Sequence, residues 1–161
     1  YGFAFTSASS NNILSNLTIN PSSSSSAIGV YSISGNNNTL ANSTISTNNS
    51  NGYGIYLSAS SQSWTIFNNT VNTTGSSAYA IFIGNASVNS TNITKNTLNV
   101  SGPSAQGINL SGTSNNTIAN NTIWVNATNG TGLRADAASN NNSVYYNNFT
   151  SGFYFINNSK I

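Results

Sequence analysis

The chain has 161 residues, of which only 2% are charged, with three Lys or Arg, one acidic residue and neither His nor Cys. Glycoside hydrolysis normally needs two carboxylates, nucleophilic triads need a base such as His, and zinc or copper sites need His or Cys, so we expect no enzyme, cofactor or metal site. Three cations are too few for a phosphate-binding surface, and no apolar run approaches the ~18 residues of a membrane span, so we expect neither nucleic-acid binding nor membrane insertion.

The first predicted strand of each repeat begins with an apolar residue that recurs about every 26 residues. Around it, apolar residues usually alternate at i and i+2, which is strand periodicity with one buried face. These first anchors and their partners are Phe3 with Phe5, Ile28 with Val30, Ile55 with Leu57, Ile81 with Ile83, Ile108 with Leu110, Leu133, and Phe153 with Phe155.

Two further apolar anchors follow in each repeat at nearly constant spacing. The second anchors are Leu14, Leu40, Ile66, Ile93, Ile118 and Val144. The third anchors are Ile19, Ile45, Val71, Leu98, Ile123 and Phe149. Three anchors predict three short strands per repeat, and a whole block that repeats in register predicts coils stacked with like residues in columns. The absence of apolar spacing of three and four predicts almost no helix.

Asparagine keeps a fixed offset from the anchors. Two residues before the third anchor stand Leu17, Ser43, Asn69, Asn96, Asn121 and Asn147. Two before the second anchor stand Asn12, Asn38, Trp64, Thr91, Asn116 and Asn142. Asn tolerates tight corners, and stacked amides can bond from coil to coil, so we predict inward-facing asparagine ladders.

The repeat, with copies such as GINLSGTSNNTIANNTI at residues 107–123, resembles the right-handed parallel β-helix repeat of pectate-lyase-like and NosD-like proteins. The resemblance implies an all-β, single-stranded right-handed β-helix of about six coils with three short strands each, in one domain spanning residues 1–161. It is nearly silent on activity, because this fold carries both enzymes and structural proteins.

Eighteen Asn-x-Ser/Thr sequons occur in the chain. We predict that the acceptors in outward columns and connections carry N-linked glycans, which would provide the solubility that charged residues do not. The alternative is that Asn-Asn-Thr is simply good turn chemistry. The predicted acceptors are Asn16, Asn42, Asn48, Asn68, Asn72, Asn99, Asn109, Asn120, Asn126 and Asn129.

Other outward residues are weaker candidates for a site. Tyr56 and Phe82 lie one coil apart, and Trp124 faces out beside inward neighbours, so each is a possible contact for a glycan or partner. Their alternative role is ordinary stacking within a sheet. Arg134 and Asp136 project from one face of a strand, and we interpret them as a surface ion pair rather than an ionic site.

The ends of the chain carry no obvious cap, which predicts a piece of a longer solenoid or head-to-tail stacking of copies or adjoining coils. We therefore predict a structural, extracellular or cell-surface glycoprotein that builds a layer, sheath, stalk or filament. The alternatives are a carbohydrate-binding or adhesin module, a non-catalytic fragment of a polysaccharide-active enzyme, and ice binding by an outward threonine column. That column comprises Thr18, Thr44, Thr70, Thr97 and Thr122.

Overall fold

A computed structural model describes residues 1–22 and 26–150 of the chain. Within these ranges the backbone forms eighteen β-strands and no helix, so it holds no helix that could cross a membrane. The strands form three six-stranded sheets, here called sheets A, B and C, in which all pairs of neighbouring strands are parallel. Each coil contributes one strand to each sheet, so the molecule is the predicted parallel β-solenoid.

Five of the six strands of sheet A are longer than any strand of sheets B and C, whose strands are joined by two-residue corners. Sheet A contains β1 (Phe3–Phe5), β4 (Ile28–Ser34), β7 (Tyr53–Ser60), β10 (Tyr79–Gly84), β13 (Gln106–Ser111) and β16 (Thr131–Ala135). Sheet B contains β2 (Ile13–Ser15), β5 (Thr39–Ala41), β8 (Thr65–Phe67), β11 (Asn92–Thr94), β14 (Thr117–Ala119) and β17 (Ser143–Tyr145). Sheet C contains β3 (Thr18–Ile19), β6 (Thr44–Thr47), β9 (Thr70–Thr73), β12 (Thr97–Val100), β15 (Thr122–Val125) and β18 (Asn148–Phe149).

The anchors form the core in the predicted columns. All second anchors are in register through sheet B, and all third anchors are in register through sheet C. In sheet A, Ile55, Ile81, Ile108 and Leu133 share one column, and each is fully buried. Burying such a side chain contributes roughly 1.5–3 kcal/mol, so the stacked columns supply the main stabilisation of the rod. The predicted anchors Phe153 and Phe155 lie outside the described residues.

The predicted register is wrong by two residues in the second coil. Val30, not Ile28, pairs with Ile55, and Phe3 pairs with Val30. Ile28 instead lies opposite Tyr53 on the neighbouring strand. Alternation favours the wrong register, because it selects the apolar pair Ile28 and Val30, whereas the structure places Val30 and the polar Ser32 opposite Ile55 and Leu57.

A column of small residues directly before the first anchors explains the true register. Its members are Gly2, Gly29, Gly54, Ala80, Gly107 and Gly132. A Cβ atom added at Gly29 would lie 2.3 Å from Cγ2 of Ile45, the third anchor of the same coil, and 2.5 Å from the carbonyl oxygen of Gly54. Because Gly29 must take the small-residue position, Val30 becomes the first anchor of its coil.

Each coil turns its corners at residues with positive φ. Between sheets B and C these residues are Asn16, Asn42, Asn68, Lys95, Asn120 and Tyr146. Before sheet B they are Asn11, Asn37, Ser63, Ser90, Asn115 and Asn141. Asn is the non-glycine residue that most readily adopts this left-handed conformation, so the corners account for much of the asparagine content.

The predicted asparagine ladders directly follow these corners. In the ladder before sheet C, Asn96 Oδ1 accepts hydrogen bonds from the backbone N–H and side-chain amide of Asn69, and Asn96 Nδ2 donates to the carbonyl of Ile66. The ladder before sheet B has the same pattern at Asn116 and Asn142 but is interrupted by Trp64 and Thr91. The ladders therefore satisfy buried backbone groups where the sheets end.

Candidate functional site

Ionisable side chains are spread along the rod. Lys95 occupies a corner, with its Nζ 5.4 Å from the centroid of the Phe67 ring. Arg134 lies on the outer side of β16, and Asp136 follows the end of that strand. In residues 1–22 and 26–150, no group of three or more His, Cys, Asp or Glu is placed to hold a metal ion.

Asp136 is held by hydrogen bonds at the turn after β16. Its carboxylate accepts from Ser111 Oγ at 2.8 Å, Gly112 N–H at 2.9 Å, Ser139 Oγ at 2.9 Å and Ala138 N–H at 3.2 Å. Burial raises the pKa of Asp136, but these hydrogen bonds outweigh burial and hold the pKa below its usual value. The carboxylate therefore ties this turn to the end of the strand in the preceding coil.

Asp136 also lines a cleft on the outside of sheet A. The cleft has a volume of about 210 Å³ and is lined by Tyr79, Phe82, Asn109, Ser111, Arg134 and Asp136. The sequence interpretation of Arg134 and Asp136 as a surface ion pair missed this cleft, because it rested on spacing within one strand. The loop hydrogen bonds of Asp136 and the aromatic neighbours of Arg134 become visible only when the coils are stacked.

The outer side of sheet A carries a continuous group of aromatic rings, here called the aromatic platform. Its members are Tyr31, Tyr53, Tyr56, Tyr79 and Phe82. The predicted neighbours Tyr56 and Phe82 stack with centroids 4.9 Å apart and an interplanar angle of 29°. Tyr53 stacks on Tyr79 at 5.3 Å and on Phe82 at 5.6 Å. All five rings are partly exposed, so the platform is a surface feature.

Tyr53 and Tyr79 are functional candidates that sequence reasoning missed. Each stands two residues before a first anchor, so their recurrence at the repeat spacing is the signal that could have found them. Burial is the largest factor that raises the pKa of Tyr53, followed by the charges of Tyr79 and Tyr56. The Tyr53 hydroxyl therefore stays protonated at neutral pH and can donate a hydrogen bond.

Trp124 lies apart from this platform. It is 52% exposed and stands in sheet C, in register with Asn99. The structure brings Tyr56 and Phe82 together but does not place Trp124 beside them. Within residues 1–22 and 26–150, Trp124 is therefore an exposed ring that stacks on no other aromatic ring.

The predicted acceptors at the corner between sheets B and C are exposed. Asn16, Asn42, Asn68 and Asn120 all have positive φ and face solvent. Asn68 Nδ2 donates to Asn42 Oδ1 at 2.8 Å, which makes a second, outer ladder. At each of these corners the sequon Asn makes the turn, the next residue points inward, and a Thr begins the strand. Corner geometry therefore explains the recurring Asn-x-Thr pattern whether or not sugar is attached.

The remaining predicted acceptors differ in accessibility. Asn48, Asn99, Asn126 and Asn129 are exposed, and Asn72 is partly buried. Asn99 Nδ2 donates to Asn72 Oδ1 at 2.8 Å, so these two amides also bond between coils.

The expectation that Asn109 faces open solvent is wrong. Asn109 points outward between Phe82 and Arg134 of the neighbouring strands, yet only 6% of its surface is exposed. Its Nδ2 donates to Gln106 Oε1 at 2.8 Å. Alternation predicts the side of the strand but not the cover that long neighbouring side chains provide. In the folded chain Asn109 is therefore a buried residue of the cleft rather than an open acceptor.

The outward threonine column is present in sheet C. Thr18, Thr44, Thr70, Thr97 and Thr122 are in register from coil to coil. Its outer neighbours on the same strands are Ser46, Asn72, Asn99 and Trp124. The column is regular, but the residues beside it are chemically mixed.

Comparison with protein families gives a match along the rod. The family model described as periplasmic copper-binding protein (NosD) matches residues 1–160. The matched range includes all eighteen strands and both asparagine ladders. Comparison with curated proteins gives no match.

Proposed function

The chain belongs to the NosD family, whose description is that of a periplasmic copper-binding protein, and from this membership we propose that it is a structural β-helical rod that works outside the cytoplasm. We further propose that it is an N-glycosylated building block of a cell-surface layer, sheath, stalk or filament, extended by end-to-end stacking. The observation that carries this proposal is the repetition itself, since each coil pairs its three strands and its ladder groups with those of the coils before and after it, an arrangement that further coils can continue.

The residues of this chain do not fit a copper ion. Copper sites in proteins use imidazole, thiolate or thioether ligands, and the sequence contains no His, Cys or Met. The one acidic side chain, Asp136, already accepts four hydrogen bonds, two from its own turn and two from the preceding coil. We therefore derive no function from copper and assign the chain no catalytic residue.

The first coil has the chemistry of a stacking surface. Among the described residues, β1, β2 and β3 have a strand neighbour on one side only. Three large side chains are exposed at this end: Tyr1 by 71%, Phe3 by 40% and Ile13 by 75%. Unpaired edges and exposed apolar groups favour the addition of another strand in register. Another copy, or adjoining coils of a longer chain, would supply one.

Asn12, the first residue of the ladder before sheet B, also supports stacking at this end of the rod. Asn38 Oδ1 accepts from the backbone N–H of Asn12 at 2.8 Å, and Asn116 Oδ1 accepts from Thr91 in the same way. By this pattern, Asn12 Oδ1 faces the position of a backbone N–H in a coil stacked before it. An added coil would therefore find both a sheet edge and a ladder acceptor.

Glycosylation is supported by exposure and composition. Eight of the ten predicted acceptors are exposed, namely Asn16, Asn42, Asn48, Asn68, Asn99, Asn120, Asn126 and Asn129. A surface with 2% charged residues has few other means of remaining soluble. Acceptors in one column are separated by about 4.8 Å, the spacing between strands, so neighbouring sites would crowd. We expect occupancy to alternate along each column.

Glycopeptide mass spectrometry on protein from its natural source tests glycosylation. Thr70→Val should remove sugar from Asn68 because it destroys the sequon, whereas Thr70→Ser should keep it. Both variants leave the corner residue unchanged. Finding only unmodified peptides from all exposed acceptors would refute this part of the proposal.

Electron microscopy and sedimentation velocity test stacking. Six coils give a unit about 30 Å long, so stacked rods should be multiples of that length. Ile13→Lys should shorten the rods because it places a charge on the stacking surface, whereas Trp124→Lys, on the side of the rod, should not. Single units at every concentration of the unchanged chain would contradict the proposal.

A carbohydrate-binding module is the second candidate function. The aromatic platform favours it, because it combines exposed rings with the polar cleft beside Phe82. The ice-binding hypothesis has less support, since the threonine column has chemically mixed neighbours. The enzyme-fragment hypothesis also has less support, since the chain holds one acidic residue.

A further inference from the structure

A groove crosses the outer side of sheet C at the first three coils. It has a volume of about 550 Å³, and its lining includes Pro21, Ser46 and Asn72, one from each of these coils. This volume lies within the range of about 300–1,000 Å³ that is typical of small-molecule sites. The groove is therefore large enough to hold a sugar ring.

The groove opens because the sheet C strand of the first coil ends early. β3 (Thr18–Ile19) has two residues, whereas β6 and β9 have four each. Pro21 stands two residues after Ile19, and proline has no backbone N–H to donate to a sheet. The pairing of β3 with β6 therefore ends at Ile19, while β6 and β9 remain paired as far as Thr47. The strand edge at Ser46 and Thr47 consequently borders the groove.

The predicted acceptor Asn72 presents its amide nitrogen to this groove. Asn72 Oδ1 accepts from Asn99 Nδ2 of the following coil at 2.8 Å, and Asn72 Nδ2 donates to Ser46 Oγ of the preceding coil at 3.3 Å. The nitrogen that would carry an N-linked sugar therefore faces the coils that form the groove. An amide nitrogen has two hydrogens, so a sugar can replace one while the other remains a donor.

Asn99, the neighbouring acceptor in the same column, has no such access to the groove. Its Nδ2 is directed at Asn72 Oδ1, so a sugar on Asn99 would lie beside Asn72. The two positions are separated by the strand spacing of about 4.8 Å, so sugars on both would crowd. The geometry therefore favours Asn72 over Asn99 as the occupied acceptor of this column.

The rest of the lining has chemistry that suits a sugar. Asn20 and Asn48 provide amides, Ser22 and Thr74 provide hydroxyls, and Pro21 provides an apolar ring. Amides and hydroxyls bond to the polar groups of a sugar, while the apolar ring can pack against its C–H face. We infer that the groove seats the first sugar of an N-linked glycan carried by Asn72. This inference rests on the proposed glycosylation and adds that one sugar packs against the rod and covers the strand edge left by Pro21.

Urea unfolding of the full chain, made in a host that attaches N-linked glycans and in a host that does not, tests this inference. Glycopeptide mass spectrometry should find sugar on Asn72 in the first form. Thr74→Val removes the Asn72 sequon and Thr74→Ser keeps it, and Thr74 is exposed. In the glycosylated form, Thr74→Val should raise the unfolding equilibrium constant about tenfold relative to Thr74→Ser, the effect of one or two hydrogen bonds. In the sugar-free form the two variants should differ by less than about twofold.

Two further variants separate a seated sugar from an attached one. Ser101→Ala is the matched control, because it removes the sequon of Asn99 at an exposed position, and it should have the same effect with and without sugar. Ser46→Phe places a large ring in the groove and leaves the Asn72 sequon intact. In the Ser46→Phe background, Thr74→Val should therefore have the same effect in both forms of the chain.

Three results would overturn the inference while leaving the proposed glycosylation standing. One is an equal effect of Thr74→Val in the glycosylated and sugar-free forms, and another is sugar on Asn48 with Asn72 unmodified. The third is a sugar-dependent effect of Thr74→Val that survives Ser46→Phe. Absence of sugar from every acceptor in the glycosylating host, including exposed ones such as Asn68, would instead refute the proposed glycosylation together with this inference.

Discussion

Asn96 Oδ1 accepts two hydrogen bonds from Asn69, one from the backbone N–H at 2.9 Å and one from the side-chain amide at 3.1 Å. Asn96 in turn donates to the carbonyl of Ile66 at 2.9 Å. One side chain therefore satisfies backbone groups of the preceding coil on both sides of the corner. These groups are buried, so water does not replace the amide.

Asn96→Ala is expected to destabilise the rod by at least about 2 kcal/mol, because it leaves a buried N–H and a buried carbonyl without partners. Asn99→Ala is the matched control, since Asn99 also bonds to the preceding coil but is exposed. Asn99→Ala should lower the free energy of unfolding by less than about 0.5 kcal/mol. Urea unfolding measures both variants, and equal losses would show that the inner ladder is not stabilising.

A buried hydroxyl offers a stabilising substitution. Thr73 is fully buried, and its Oγ1 has no hydrogen-bond partner in the described part of the chain. The next residue in its column is Val100, which has nearly the same shape. Thr73→Val should raise the free energy of unfolding by about 1 kcal/mol because it removes an unsatisfied polar group.

The reverse change at the neighbouring coil provides the control for Thr73. Val100→Thr should lower the free energy of unfolding by a similar amount, since it adds a further buried hydroxyl to a column that already holds Thr47 and Thr73. Denaturant midpoints measure both changes. A loss of stability in Thr73→Val would mean that an ordered water satisfies this hydroxyl.

The corner residues allow a test of backbone conformation. Asn68 has a φ of 53° and donates to Asn42 at 2.8 Å. Asn68→Ala and Asn68→Gly both remove this hydrogen bond, but only alanine carries a Cβ into the left-handed region. Asn68→Ala should therefore be less stable than Asn68→Gly by about 1 kcal/mol. Equal unfolding midpoints would show that the corner carries no conformational cost.

The fold could be predicted from the sequence because each coil repeats the same apolar anchors at nearly the same spacing. Anchors such as Ile66, Ile93 and Ile118 pair with their own copies one coil away and share one apolar core with the anchors of the other two sheets. The error at Ile28 arose because its register is decided by the contact between Gly29 and Ile45, which joins two sheets of the same coil. Spacing along the chain does not report such contacts.

The candidate surface was only partly visible from the sequence. Tyr56 and Phe82 were found because they alternate with inward anchors on one strand each. Tyr53 and Tyr79 were missed because a strand at this point buries two consecutive residues, as Gly54 and Ile55 show, which breaks simple alternation. The accessibility of a side chain depends on the residues beside it in the neighbouring coils. The burial of Asn109 could therefore be recognised only in the folded structure.

The chain belongs to a family described as copper-binding, yet its own residues predict that it does not bind copper tightly. The chain lacks the imidazole, thiolate and thioether ligands of copper sites, so we expect no saturable copper binding with a Kd below about 1 μM. Titration calorimetry with copper sulfate measures this directly. A chelator should leave the thermal midpoint unchanged, with a zinc-finger protein as the positive control for chelation. Stoichiometric, tight copper binding would contradict the donor argument.

The loss of unfolding free energy at low pH should depend mainly on one side chain. Asp136 is the only acidic residue in the sequence, and its hydrogen bonds from Gly112, Ser111, Ser139 and Ala138 outweigh burial and lower its pKa in the folded chain. A lowered pKa means that the ionised form stabilises the fold. This contribution is complete above the unfolded value, about 3.9 for Asp, and is lost as the pH falls through the folded value.

Asp136→Asn removes this titration while keeping a side chain of similar size. At pH 7 the variant should unfold at lower urea concentration than the unchanged chain, because a neutral amide oxygen accepts the hydrogen bonds from Ser111 and Gly112 more weakly than a carboxylate. Between pH 5 and pH 2 the two midpoints should converge, since the unchanged chain alone loses the ionised carboxylate. Midpoints that fall in parallel over this range would assign the acid sensitivity to another group, such as the terminal carboxylate, and would contradict the role given to Asp136.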